Sequence, residues 1–490
     1  MTKKLVLAVI DGCKPSMLRR AIDTGRAPAL AAIAQRGTNV DACVAAFPSV
    51  TPVCAAAIAT GTLQDVHHIP SMNWYSRREG RYVEYGSSFA ASWKFGLGKQ
   101  LTDTVYNMNA EHLNPKALTV FEALDDQDVR TAGTTYLMYR GRHEHRPSKE
   151  FALSRVATST FFRKPILGPR EFFYADLFAS QVTGCFSQMG MPGVRDQHTG
   201  CVGAYLAEHD LFDFMLFSLP DNDAHSHKHG PHAQVQSIAA ADRQLERLFH
   251  AAGGTDAFLD QHAVIVVADH SHAPVEATID LAGPVAANWE VLRPSGARSA
   301  DAEVAVCPAS RSAMLYLLQP GARDEALPGL IAAAREPDGV DLVMWRDGEE
   351  AVIAGEGGEL RFAPGDDVTD ERGRSWTLHG EPGALQSEIA GGRIENRVYP
   401  DALSRVWAAL TCPTSGDVLL SASPGWEFPD WGGQAHVGGG SHGSLHRVDS
   451  EGALLYSGVN AGGVLSARED DGAWSITDIA PIVVAHFGAR

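Results

Sequence analysis

The chain has 490 residues, 44% hydrophobic and 20% charged, enough apolar material for one large domain with insertions or for two to three domains. Its formal net charge of −18 excludes duplex nucleic acid as a principal partner, because a phosphate backbone requires a basic face. An anionic substrate would need local positive charge, such as metal ions supply, to enter that field.

Seven cysteines are dispersed, odd in number and never spaced Cys-x-x-Cys, which reads as reduced thiols in a cytoplasm. Lys3-Lys4 has the look of a signal n-region, but Asp11 stops the following apolar run too early for an h-region. No apolar run reaches the ~18 residues a membrane helix requires, so no membrane association is expected.

In chain order, Leu5–Ile10 is all apolar and predicts a strand buried on both faces, ending on Asp11-Gly12. An acid at that tip faces a ligand or caps a helix. Helices are expected at Ser16–Asp23 and Pro28–Arg36. In Phe47-Pro48-Ser49-Val50-Thr51-Pro52, Pro52 fits the first helical position and Gly61 the stop, which makes Thr51 an N-cap. Its hydroxyl would then sit at the positive end of the helix dipole, an environment suited to an attacking alkoxide. Asn73, beyond His67-His68, carries an amide that could donate to a phosphoryl oxygen, or simply serves a turn.

Residues 80–200 alternate short helices and strands, including a helix at Leu118–Leu124 and a strand at Arg130–Met138. The basic run Arg140–Arg146 reads as a solvated loop, and Phe161-Phe162 and Phe172–Tyr174 as core. Leu211–Ser218 predicts another buried strand, followed by Asp221-Asn222-Asp223-Ala224-His225-Ser226-His227-Lys228-His229-Gly230-Pro231. Two acids and three imidazoles at the tip of a buried strand mark the edge where open α/β sheets place their active sites. A helix over Val235–Ala252 follows. Ala263–Ala268 then repeats the pattern, ending in Asp269-His270-Ser271-His272. From 297 to 400, short strands between Gly- and Asp-rich turns (Ala313–Leu318, Leu342–Trp345, Ala351–Ile353, Glu359–Phe362) predict an inserted α+β cap, with Asp366–Arg374 exposed. Residues 1–296 and 401–490 then form the catalytic core. The chain is expected to return to the central sheet at Asp417–Ala422, before His436 and Ser441-His442-Gly443 in a Gly-rich loop and a closing helix at Ile476–Phe487.

Asp and His ligands without Cys suit Zn²⁺, with Mn²⁺ or Fe possible at one site, and their number suits two ions. A pair roughly 4 Å apart clamps both oxygens of an in-line displacement at phosphorus. The ordered set Asp11, Thr51, Asp223-x-x-x-His227, Asp269-His270 and Ser441-His442-Gly443 resembles the alkaline phosphatase superfamily, within its type I phosphodiesterase/nucleotide pyrophosphatase branch. The resemblance implies a doubly wound, mostly parallel α/β sandwich and two Zn²⁺ ions. One ion is implied on Asp223, His227 and His442. The other is implied on Asp11, Asp269, His270 and Thr51, with Thr51 as nucleophile of a covalent phospho-threonine intermediate. It also implies a phosphoryl-binding role for Asn73, although the spacing is one residue longer than the family's; His436, left outside the ligand set, is a candidate substrate contact. The family's Thr-Phe-Pro is displaced here, which leaves Ser49 as an alternative nucleophile. Asp221-x-x-x-His225 has the same ligand spacing as Asp223-x-x-x-His227; Gly230-Pro231 favours the latter. His225, His229 and His272 fall outside the ligand set. The expected activity is hydrolysis of a small, nucleotide-like phosphodiester or pyrophosphate. The alternatives are phosphomonoester or phosphonoacetate-type carbon–phosphorus hydrolysis on the same ions, and a non-catalytic metal-binding protein.

Overall fold

The apolar run Leu5–Ile10 must be covered on both faces, and its strand, Lys4–Ile10, lies inside a nine-stranded sheet of the computed structural model. The structure describes residues 2–148, 162–294, 301–319, 321 and 323–488. Lys4–Ile10 pairs in parallel with Phe214–Leu219 and with His262–Val267, Leu7 standing between Leu216 and Ile265. Thr131–Gly133 and Glu171–Tyr174 continue the parallel run. On the other side Glu451–Ser457 runs antiparallel to His262–Val267 and brings in Thr38–Val44.

Alternation along the first strand divides the core in two. Leu5, Leu7 and Val9 pack with the buried helix Thr51–Thr60. Val6, Ala8 and Ile10 pack against Pro15–Asp23, Pro28–Arg36 and Gln234–Ala251. The result is the expected doubly wound α/β sandwich, with helices on both faces of a mostly parallel sheet.

Several elements differ from their sequence reading. The strand expected at Arg130–Met138 shortens to Thr131–Gly133, and the helix expected at Leu118–Leu124 is Val120–Asp125, started by a capping box between Thr119 and Glu122. Val418–Ala422 does not rejoin the central sheet. It lies between Ser312–Leu317 and Val340–Asp347 in a second nine-stranded sheet, antiparallel to both. Its apolar run satisfies either sheet, so composition alone does not choose. The return is made by Glu451–Ser457. Asp366–Arg374 is not wholly exposed: Asp370 is buried, accepting from Arg374 and from Trp376 Nε1, while Arg372 pairs with Asp478 at 2.7 Å. The charge run clamps the second sheet to the C-terminal helical segment. Phe172–Tyr174 is buried as expected, whereas Phe161 lies outside the described residues.

Cys185 and Cys201 form a disulfide; the other five cysteines are free and buried. This overturns the reading of all seven as reduced thiols, on which the expected cytoplasmic location rested. Among the described residues no helix is long and apolar enough to cross a membrane.

His262, at the start of its strand, is 6% exposed, donates from Nδ1 to Phe258 O and stacks on the Phe258 ring at 4.1 Å. Burial, aided by Lys4 and Lys3, lowers its pKa to about 4. The unfolded chain protonates it near ~6.5, so between those values the unfolded state binds more protons. Stability from His262 is therefore present above that window and is lost as pH falls through it. A His262→Gln variant, compared with the native chain in urea at pH 7 and at about pH 4.5, should gain about 2 kcal/mol relative to native on acidification. An unchanged difference would mean that the imidazole is protonated in the fold.

Candidate active site

Three parallel strands deliver their C-terminal tips to one edge. Lys4–Ile10 delivers Asp11, His262–Val267 delivers Asp269 and His270, and Phe214–Leu219 leads into a helix, Asp221–His229. The pitch of that helix puts Asp223 and His227, four residues apart, on one face. The hairpin-like return of the chain through Gly440–Ser441 beside Ala273–Thr278 brings His442 to the same place.

Two sets of ligand-type atoms result, each with all its atoms within 4.8 Å of one another: Asp223, His227, His272 and His442, and Asp11, Asp223 and His270. Asp223 belongs to both, and the rings of His270 and His442 stack at 3.6 Å, so the sets are contiguous. Asp223 Oδ1 stands 2.9 Å from His272 Nε2, 3.3 Å from His227 Nε2 and 3.5 Å from His442 Nε2. His270 Nε2 is 3.3 Å from Asp269 Oδ2 and 3.5 Å from Asp11 Oδ1.

The surroundings fix which atoms face inward. Nδ1 of His227 meets Gly440 O at 2.8 Å, Nδ1 of His442 meets Ser49 O at 2.7 Å, and Nδ1 of His270 meets Ser271 O at 3.1 Å. A carbonyl only accepts, so each Nδ1 carries the proton and each Nε2 of a neutral ring offers a lone pair to the centre. Asp269 Oδ1 accepts from the N–H of Gly12 and of His270 at 3.0 Å each. Asp269 Oδ2 and Asp11 Oδ1 are buried with no hydrogen-bond partner among the described residues. Burial, reinforced by Asp269 and Asp223, pushes the Asp11 carboxyl well above the usual carboxylate range. Burial would raise Asp223 also, but the imidazoles of His227 and His272 hold it well below that range. Inward lone pairs, crowded carboxylates and unpartnered carboxylate oxygens form a donor set that divalent cations fit.

Thr51 Oγ1 approaches this junction, 3.3 Å from His270 Nε2. Thr51 is not the N-cap: Val50 is, its carbonyl accepting from Val53 and Cys54, and Thr51 is the first helical residue. Ser49 is fully buried and its hydroxyl is engaged, donating to Ser444 O at 2.9 Å and accepting from Gly443 N at 3.1 Å. Asp221, the other ligand register, turns away to Arg195 and to the N–H groups of Gly193 and Asp196.

Asn73 is buried in a hairpin, Asn73–Ser76 against Arg81–Glu84. Its amide donates to Val83 O at 3.2 Å and to Glu84 Oε2 at 2.9 Å, turned to its own hairpin. His436 stacks on His227 at 3.9 Å, with Nδ1 held 2.8 Å from Glu427 Oε1. The basic run takes no part: Arg140 and Arg142 pair with Glu122, and Arg142 also with Asp126. His272 is the residue that sequence reasoning set aside and the fold brings in. Its signal was the spacing of two from His270, since extended chain sends alternate side chains to one side.

The model of the family "Type I phosphodiesterase / nucleotide pyrophosphatase" matches residues 5–445. No curated protein gives a significant sequence match. Among solved structures, phosphonoacetate hydrolase from Sinorhizobium meliloti 1021, in complex with phosphonoformate, is similar at 18% identity and a TM-score of 0.56, covering 100% of this chain and 96% of its own. Murine ectonucleotide pyrophosphatase/phosphodiesterase 5 is similar at 12% identity and a TM-score of 0.52, over 93% and 88%. Its inactive variant in complex with AMP gives 11% and 0.54, over 100% and 96%. These likenesses establish a shared alkaline phosphatase-like fold, and the family match over most of the sequence makes the chain a member of the type I phosphodiesterase/nucleotide pyrophosphatase family, metal-dependent hydrolases of phosphoryl bonds.

Proposed function

We propose that the chain hydrolyses a small phosphodiester or pyrophosphate with two divalent ions, zinc foremost, through a covalent phosphothreonine on Thr51. The observation that carries this reading is Thr51 Oγ1 at 3.3 Å from His270 Nε2, at the meeting point of the two ligand sets. Asp223, His227 and His442 would hold one ion; Asp11, Asp269, His270 and Thr51 would hold the other. When bound, the ions supply Lewis acidity that favours the ionised threonine and offsets charge on the phosphoryl oxygens.

The rest falls to the chain's own groups. Helix Thr51–Thr60 fixes the nucleophile at its positive end, and Pro52 keeps the first turn rigid. Thr51 Oγ1 gives its proton to solvent and attacks phosphorus, and the bond to the leaving oxygen breaks with that oxygen keeping the pair and taking up a proton from solvent. Water then attacks the phosphothreonine, gives its proton back to Thr51 and releases the phosphomonoester. Donation by Asn73 to a phosphoryl oxygen would require it to release Val83 O or Glu84. His436, part-exposed and stacked on His227, would contact the substrate in this reading. The occupant in this reading is a small molecule, since a net charge of −18 opposes a duplex, whose phosphates require a basic face.

Three substrates separate the chemistries: bis-p-nitrophenyl phosphate, p-nitrophenyl phosphate and phosphonoacetate, compared by kcat/KM. The diester should be preferred, and chelation should abolish turnover. Higher turnover of phosphonoacetate would replace the diester reading with carbon–phosphorus hydrolysis. No turnover of any of them by the metal-loaded protein would leave a silent metal-binding protein.

Thr51→Ala should keep the metals yet lower kcat by ~10³-fold or more, because an interaction made in the transition state is removed. Near-native turnover would remove Thr51 from its role. Ser49→Ala should cost about 1–3 kcal/mol of stability, since it strands the buried Gly443 N–H, while kcat falls far less than in Thr51→Ala. The reverse ranking of the two variants would move the nucleophile to Ser49.

A further inference from the structure

Resting on the two-ion reading, we propose that His272 is a direct ligand of the ion held by Asp223, His227 and His442, making that site three imidazoles and one carboxylate. The geometry sets His272 apart from a bystander. Its ring is fully buried, and Nε2 lies 2.9 Å from Asp223 Oδ1, nearer than either His227 or His442. Its ring centroid is 4.9 Å from that of His227 and 5.0 Å from that of His442. All four ligand-type atoms lie within 4.8 Å of one another. His272 Nδ1 is buried without a hydrogen-bond partner among the described residues, so no carbonyl holds this ring as carbonyls hold the other three. Its position is set by what Nε2 faces.

The chain also makes room for the ring. A Cβ on residue 12 would lie 2.6 Å from both Cδ2 and Nε2 of His272, and Gly12 has φ +65. Only glycine meets both demands cheaply. Asp11-Gly12 therefore supplies a carboxylate for one ion and, at the next residue, the space that admits an imidazole to the other. The sequence Asp269-His270-Ser271-His272 divides its two histidines between the neighbouring sets. Four protein atoms fill a tetrahedral shell, which is characteristic of a closed zinc site. Substrate oxygen must then enter as a fifth ligand, and this ion is held more firmly than its neighbour.

Cobalt-substituted protein tests this by a count that does not depend on turnover. Each imidazole bound to cobalt through Nε2 shows a strongly shifted Nδ1–H proton resonance. With both sites loaded, the native protein should show one such resonance for each of His227, His270, His272 and His442, and His272→Gln should lack one of them. The glutamine amide still donates to Asp223, so this variant removes the imidazole and keeps the hydrogen bond. His272→Gln should also lose the more slowly released of its two cobalt ions to a chelator at least about tenfold faster. If two cobalt ions bind but the native protein shows shifted resonances only for His227, His270 and His442, His272 merely donates to Asp223 and this proposal falls alone. If no cobalt binds, the two-ion reading falls with it. A His272→Gln variant that does not fold leaves the native count decisive.

Discussion

Three carboxylates, Asp11, Asp223 and Asp269, are forced together at the tips of buried strands, and the architecture follows from keeping them there. Like charges in a low-dielectric setting repel by several kcal/mol, and desolvation adds to that cost. The chain meets it only in part. Asp269 Oδ1 takes two backbone N–H groups and Asp223 draws in imidazoles, but Asp11 Oδ1 and Asp269 Oδ2 find no donor among the described residues. A fold that leaves buried carboxylate oxygens unmet, beside imidazole lone pairs turned the same way, is built around positive charge from outside the polypeptide.

Holding this arrangement draws on both sheets. Arg311, in the turn before Ser312–Leu317, donates its N–H to His442 O at 2.9 Å, while its guanidinium meets Asp449 at 3.0 Å with both side chains fully buried. Asp449 in turn takes the N–H and the hydroxyl of Ser444 at 2.9 and 2.6 Å. Gly443, with φ +123, has no room for a Cβ between Ala309 O and the Arg311 N–H. The loop carrying His442 is thereby fixed from one side by the second sheet and from the other by Ser49, two residues before Thr51. The proposed nucleophile and the proposed ligand thus share one scaffold, which suits chemistry that depends on positioning more than on flexibility.

The strand tips were legible in the sequence because an unbroken apolar run ending in Asp is a simple pattern: Asp11 and Asp269 follow their strands closely, while Asp223 lies in the first turn of a helix that begins past the third tip. The ordered motif set carried the family and the fold. Other features depended on information that periodicity does not hold. Thr51 shifted by one helical position because Val50, with no capping side chain, takes the cap through its backbone alone. Val418–Ala422 joined the second sheet because an apolar strand does not say which neighbour it will pair with. The Cys185–Cys201 pair is a contact between a loop and a helix, invisible to spacing rules. His272 was passed over because a histidine after a complete motif looks redundant until the ring is seen packed against Gly12.

The most direct test of this account is a crystal soaked with zinc and orthovanadate, with data collected at the zinc absorption edge. Two anomalous peaks are expected, one among Asp223, His227 and His442 and one among Asp11, Asp269 and His270, with the vanadium bonded to Thr51 Oγ1. A single peak, peaks elsewhere, or vanadium bound away from Thr51 would contradict it.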